Sequence, residues 1–151
     1  MEKDDFGVLL ARAYAAFVDE MRAALAQRGF ANLHPSFGYV ARALAEHSIT
    51  LRELAGRLGL TSQGALKIVD ALEQDGYVER RADADDGRAK QIALTKRGEA
   101  ALAAARQFHH RFEQALANKA GRNRTGTTRA VLEEIVQGRE ASGHDVALRP
   151  V

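Results

Sequence analysis

Residues 51–62, Leu51-Arg52-Glu53-Leu54-Ala55-Gly56-Arg57-Leu58-Gly59-Leu60-Thr61-Ser62, decide the fold. Thr50 followed three residues later by Glu53 fits a capping box, in which the hydroxyl takes the Glu53 amide while the carboxylate reaches back to the N-cap amide. A short helix is therefore predicted to start there and to close before Gly59, with Leu54, Ala55 and Leu58 on its inner face. Only Gly59 and Leu60 separate it from Thr61, a good N-cap, after which Leu66, Val69 and Leu72 recur at the helical period as far as Gly76. Two helices joined by so short a glycine-containing connection read as a helix-turn-helix.

Working downstream, Tyr77-Val78-Glu79-Arg80-Arg81 and Gln91-Ile92-Ala93-Leu94-Thr95 are strand-like runs. The stretch between them carries Asp86-Gly87, a hairpin signal, so a two-stranded wing is expected with Val78, Ile92 and Leu94 facing inward. Thr95 then caps a long helix bearing Ala101, Leu102, Ala105, Phe108, Phe112 and Leu116 at i, i+3, i+4 spacing. Upstream, a helix is predicted from about Asp5 to Arg28, and Pro35 suits the first turn of another that carries Phe37, Val40, Ala41 and Leu44 to near Glu46. Gly121 to Gly126 reads as a polar turn. A short last helix is expected to follow, capped by Thr127 or Thr128, with Val131, Leu132, Ile135 and Val136 on one face and no regular structure beyond Gly138.

Composition narrows the function. The 151 residues suit one domain, and Leu, Ile, Val and Phe make up 23% of them, enough to bury a core. Zero cysteines exclude disulfides, thiolate metal sites and thiol chemistry. The acidic N-terminus lacks the basic and apolar regions of a secretory signal, and the longest apolar run, Ala100 to Ala105, is too short to span a bilayer, so a cytoplasmic protein is expected. Residues 88–129 hold ten basic side chains against two acidic ones, a candidate electrostatic footprint for nucleic acid, whereas residues 1–20 hold two against five. No Gly-rich phosphate loop, H-E-x-x-H or G-x-S-x-G motif is present, so neither catalytic residues nor a cofactor are expected.

Three separated motifs carry a resemblance. Ile68 to Arg80 holds a helix end of the form V-x-x-L-E-x-x-G-Y-V, with Val69 at its first position, Asp86-Gly87-Arg88 a D-x-R wing tip, and Ile92 to Gly98 the return I-x-L-T-x-x-G. In this order and spacing, over about residues 35–120, the chain resembles the MarR family of bacterial transcription regulators. The resemblance implies a mainly α fold with a small β-hairpin wing: one domain over residues 1–151, a winged helix-turn-helix at 35–95, and dimerisation helices at 5–28 and 96–138. It further implies a homodimer on palindromic operators in double-stranded DNA, usually as a repressor. Gly64 departs from the family, standing where a small hydroxyl residue is more usual.

Candidate contacts follow. Thr61, Ser62, Gln63, Leu66 and Lys67 lie on the first turns of the second helix, where side chains reach base edges or phosphates in the major groove. Arg88, beside Asp86 and Lys90, resembles the family's minor-groove arginine held by an aspartate, and Arg80 and Arg81 at the wing base are candidates for phosphate contacts or ion pairs. Tyr14, His34, Phe37 and Tyr39 are candidates for an effector pocket, because the family often binds small aromatic acids between dimerisation helices and winged domain. The five scattered histidines lack the spacing of a metal site, so none is assigned. A winged module that contacts only proteins, and a histidine-based metal-responsive regulator, are the alternative readings.

Overall fold

The computed structural model describes residues 4–82, 85 and 90–147. Six helices and three short strands follow in the order α1 (Phe6–Gln27), α2 (Phe37–Leu44), β1 (Ile49–Thr50), α3 (Leu51–Leu58), α4 (Ser62–Gln74), β2 (Val78–Ala82), β3 (Lys90–Leu94), α5 (Lys96–Ala120) and α6 (Arg122–Ala141). The capping box at α3 forms as the sequence predicts: Thr50 Oγ1 accepts the Glu53 amide at 3.2 Å, and the Glu53 carboxylate accepts the Thr50 amide at 2.7 Å. The Thr50 amide, and after it the Thr50 hydroxyl at 3.0 Å, donate to the charged carboxylate and hold the Glu53 pKa below its ordinary value. Gly59 ends α3 at φ 62°, a left-handed conformation that costs glycine little, and Thr61 Oγ1 caps α4 through the Gly64 amide at 3.0 Å. A Cβ built on Gly64 would lie 3.2 Å from that same Oγ1, so the departure at Gly64 keeps the cap uncrowded.

The core sits where α2, α3, α4 and the sheet meet the start of α5, around Phe37, Val40, Leu54, Val69, Leu72, Tyr77 and Ile92. Strands are antiparallel in the order β1-β3-β2, with Ile49 opposite Ile92 and Val78 opposite Leu94. The wing thus has a third strand beyond the hairpin the sequence predicts. Two residues are too few to show period-2 alternation, and the pairing of Ile49 with Ile92 is a long-range contact. Val78, Ile92 and Leu94 are buried as expected. Pro35 precedes α2 instead of entering its first turn, since α2 begins at Phe37 behind a His34–Phe37 backbone turn.

Long helices flank this unit. The C-terminal half of α1 docks on α5 through Leu25, Ala104 and Ala105, assisted by Met21, Phe30 and Leu33. The expected turn at 121–126 and short last helix are corrected: α6 begins directly at Arg122 and runs 20 residues to Ala141. Thr125, Thr127 and Thr128 return their hydroxyls to the carbonyls four residues back, at 2.9 Å each, so residues that read as turn formers have their polar groups satisfied inside the helix. No residue of α6 is buried within the chain.

Candidate nucleic-acid interface

Burial of Ala65, Val69 and Leu72 in the core turns the opposite side of α4 outward. Ser62, Gln63, Leu66 and Lys67 are all exposed on its first two turns, below the Thr61 cap. The side chains of Ser62, Gln63 and Lys67 make no hydrogen bond or ion pair among the described residues. The structure therefore brings the five predicted α4 residues together on one accessible surface at a helix N-terminus, where the partial positive charge of the helix favours an anion.

Wing residues divide. Arg80 shares the sheet face of Val78 and Ile92, and this alternation points it at α4. There it hydrogen-bonds Asp70 at 2.6 Å and also pairs with Glu73, and its side chain is only 23% exposed. Those carboxylates raise the Arg80 pKa further above its ordinary value, the Asp70 hydrogen bond most strongly. In consequence Arg80 is a brace between the wing base and the exposed helix. Arg81 points the other way, exposed, with its guanidinium 2.5 Å from Glu79, and Lys90 is exposed at the start of β3. Asp86 and Arg88 lie outside the described residues.

The four candidate pocket residues do not converge. Phe37 is fully buried with its ring 5.2 Å from that of Tyr77, a core position, while His34 Nδ1 accepts the Ser36 amide at 3.0 Å ahead of α2. Tyr14 and Tyr39 do meet, hydroxyl to hydroxyl at 2.9 Å, joining α1 to α2, and burial together with that contact raises the Tyr39 pKa to about 12. Sequence reasoning missed what lies beside them. Arg42, one turn after Tyr39, hydrogen-bonds the Gly38 carbonyl at 2.9 Å and stands 3.0 Å from His109 Nε2 on α5. Burial first, and the Arg42 charge second, lower the His109 pKa, opposed by Glu113. For Arg42 to donate, Nε2 must be the unprotonated ring nitrogen. The Tyr39–Arg42 spacing was the readable signal, but nothing local to it points to residue 109. Among the described residues no three His, Asp or Glu side chains converge on a metal position, and no helix is long and apolar enough to cross a membrane.

A helix-turn-helix followed at once by a small antiparallel wing defines the winged helix-turn-helix class. A sequence model described as the MarR family matches residues 33–89. Over 52 residues the chain is 38% identical to the HTH-type transcriptional regulator PrsX of Escherichia coli, a match covering 34% of this chain and 31% of that relative. Among solved structures, the transcriptional repressor CouR bound to a 23-mer DNA duplex superposes at TM-score 0.68 with 26% identity, over 89% of this chain and 99% of that one. MepR of Staphylococcus aureus, a transcription regulator of the multidrug efflux pump MepA, shares the fold at TM-score 0.65 and 20% identity, over 89% and 98%. Over residues 33–89 the chain is thus similar to the MarR family, and across about nine-tenths of its length it shares the winged helix-turn-helix fold of these solved regulators.

Proposed function

We propose that this protein binds double-stranded DNA sequence-specifically as a homodimer on palindromic operators and acts as a repressor released by a small aromatic acid. The observation that carries the DNA-binding reading is the row Ser62, Gln63, Leu66 and Lys67, exposed on the capped first turns of a helix that a helix-turn-helix presents to the major groove. CouR, similar over nearly its whole length, is a repressor bound to duplex DNA, which supports the same role here. Dimerisation is supported by the apolar residues that the chain leaves uncovered, Phe6, Leu9 and Tyr14 on α1 and Val131, Ile135 and Val136 on α6, and by an open cleft of about 510 Å³ between α5 and α6. Pairing about a two-fold axis sets two such helices about one DNA turn, ~34–36 Å, apart. The effector reading places an aromatic acid at the Tyr14–Tyr39 junction, where Arg42 offers a cation. Arg88, steadied by Asp86, is assigned to the minor groove from the motif alone.

Selection of duplexes from a random pool at low salt, followed by titration, tests this. Enrichment of a palindrome is expected. Lys67→Ala should reduce the slope of log affinity against log salt by about 0.9 for each phosphate that the ammonium group neutralises in the wild type. Arg88→Ala should cost about 1–3 kcal/mol, falling hardest on A·T-rich flanks. A pool that enriches no duplex would refute the assignment, and binding that aromatic acids leave unchanged would remove the effector.

A further inference from the structure

Leu66 is out of place on the α4 surface. Among the described residues it is the one large apolar side chain exposed between residues 15 and 115; the others lie on α1, the end of α5, α6 and the tail. It is 39% exposed, one turn beyond Ser62 and Gln63 and next to Lys67, so the exposed residues beside it at the start of α4 are polar. The helix does not need it there, because Ala65, Val69 and Leu72 already supply the buried side of α4.

Base edges in the major groove are hydrogen-bond donors and acceptors with one apolar exception, the C5-methyl group of thymine. A leucine pressed against any other edge would strip water from a polar group and return no hydrogen bond, a cost that turns one apolar side chain into a filter. We infer that Leu66 reads the C5-methyl group of a thymine in each operator half-site and that it specifies that position partly by excluding the other bases. The inference rests on the DNA-binding reading above and assigns Leu66 a chemistry distinct from that of Gln63 and Lys67, whose amide and ammonium groups make hydrogen bonds.

The test uses the full-length protein and the duplex enriched by selection. Each thymine of a half-site is replaced in turn by deoxyuridine, which removes the methyl group and leaves base pairing intact. Wild-type affinity should fall about three- to ten-fold at one thymine per half-site, the scale of one buried methyl-sized group together with its surroundings. Leu66→Ala should bind the thymine and deoxyuridine duplexes alike at that position, whereas Leu66→Met should keep the difference. Circular dichroism will show that both variants fold, as an exposed position allows. Tight binding by wild type with no deoxyuridine effect at any position, or an equal penalty in Leu66→Ala, overturns the inference while leaving DNA binding in place. If no duplex binds at all, both readings fall together.

Discussion

Gly98→Ala should be among the most damaging single-methyl changes in this protein. A Cβ on Gly98 would lie 2.1 Å from the Tyr77 carbonyl oxygen, where side-chain carbons need about 3.0 Å, and 3.1 Å from Leu94 Cδ2. The obstruction is backbone and cannot rotate away. Room for it must come from parting the start of α5 from the end of α4, a junction held by the Thr95 amide on the Tyr77 carbonyl at 3.1 Å and by Thr95 Oγ1 on the Gly76 carbonyl at 2.5 Å. Overpacking of this kind costs about 1–3 kcal/mol, and each weakened hydrogen bond adds about 1 kcal/mol. Alanine returns up to about 1 kcal/mol in helix propensity, leaving a net loss of about 2–5 kcal/mol, or roughly 4–20 °C in Tm for a chain of this size. Urea unfolding is the assay, at one fixed protein concentration so that the proposed dimerisation weighs equally on every variant. Gly56→Ala is the control, because its Cβ meets nothing within 4 Å and should stabilise α3 by about 0.5–1 kcal/mol. A Gly98→Ala protein within about 0.5 kcal/mol of wild type, alongside a well-behaved control, would refute the argument from close approach.

Two further outcomes are expected. His109 has a folded pKa below its unfolded value, so between the two the unfolded chain binds more protons; its contribution is full above the ordinary histidine range and is lost as pH falls through the lower folded value. His109→Gln, which keeps an acceptor for Arg42, should flatten the urea-midpoint profile between about pH 8 and about pH 5, and a profile as steep as wild type's would show that other groups set it. Arg80→Met should lower stability by about 1 kcal/mol at low salt and less at high salt, because its partners Asp70 and Glu73 are well exposed. If its salt slope for DNA also falls as far as that of Lys67→Ala, the guanidinium leaves its carboxylates for phosphate and is no brace.

Much of the winged unit was legible because its determinants are local. A capping box needs two side chains three residues apart, and the Thr61 and Thr95 caps need one residue and the start of a helix, so α3, α4 and α5 begin where the sequence places them. The exposed row on α4 follows from the same periodicity that identifies its buried face. Less of the flanking helices was readable. The Thr-rich start of α6 carries turn-type residues, and its persistence as a helix depends on hydroxyls finding carbonyls four residues back, which propensity alone does not reveal.

By itself, then, the amino-acid order determined the helix-turn-helix, the strand-like runs of the wing and the side of α4 that faces away from the core, since each is written in spacings of two to four residues. Tertiary structure alone decided the partners. It added Ile49 to the sheet opposite Ile92, set Arg80 on Asp70 and Glu73, joined Tyr14 to Tyr39, and brought Arg42 to a histidine 67 positions away. It also explains Gly98, whose missing side chain is required by a carbonyl 21 residues earlier. Such contacts depend on how packed elements cross in space, and no local pattern of residues encodes that.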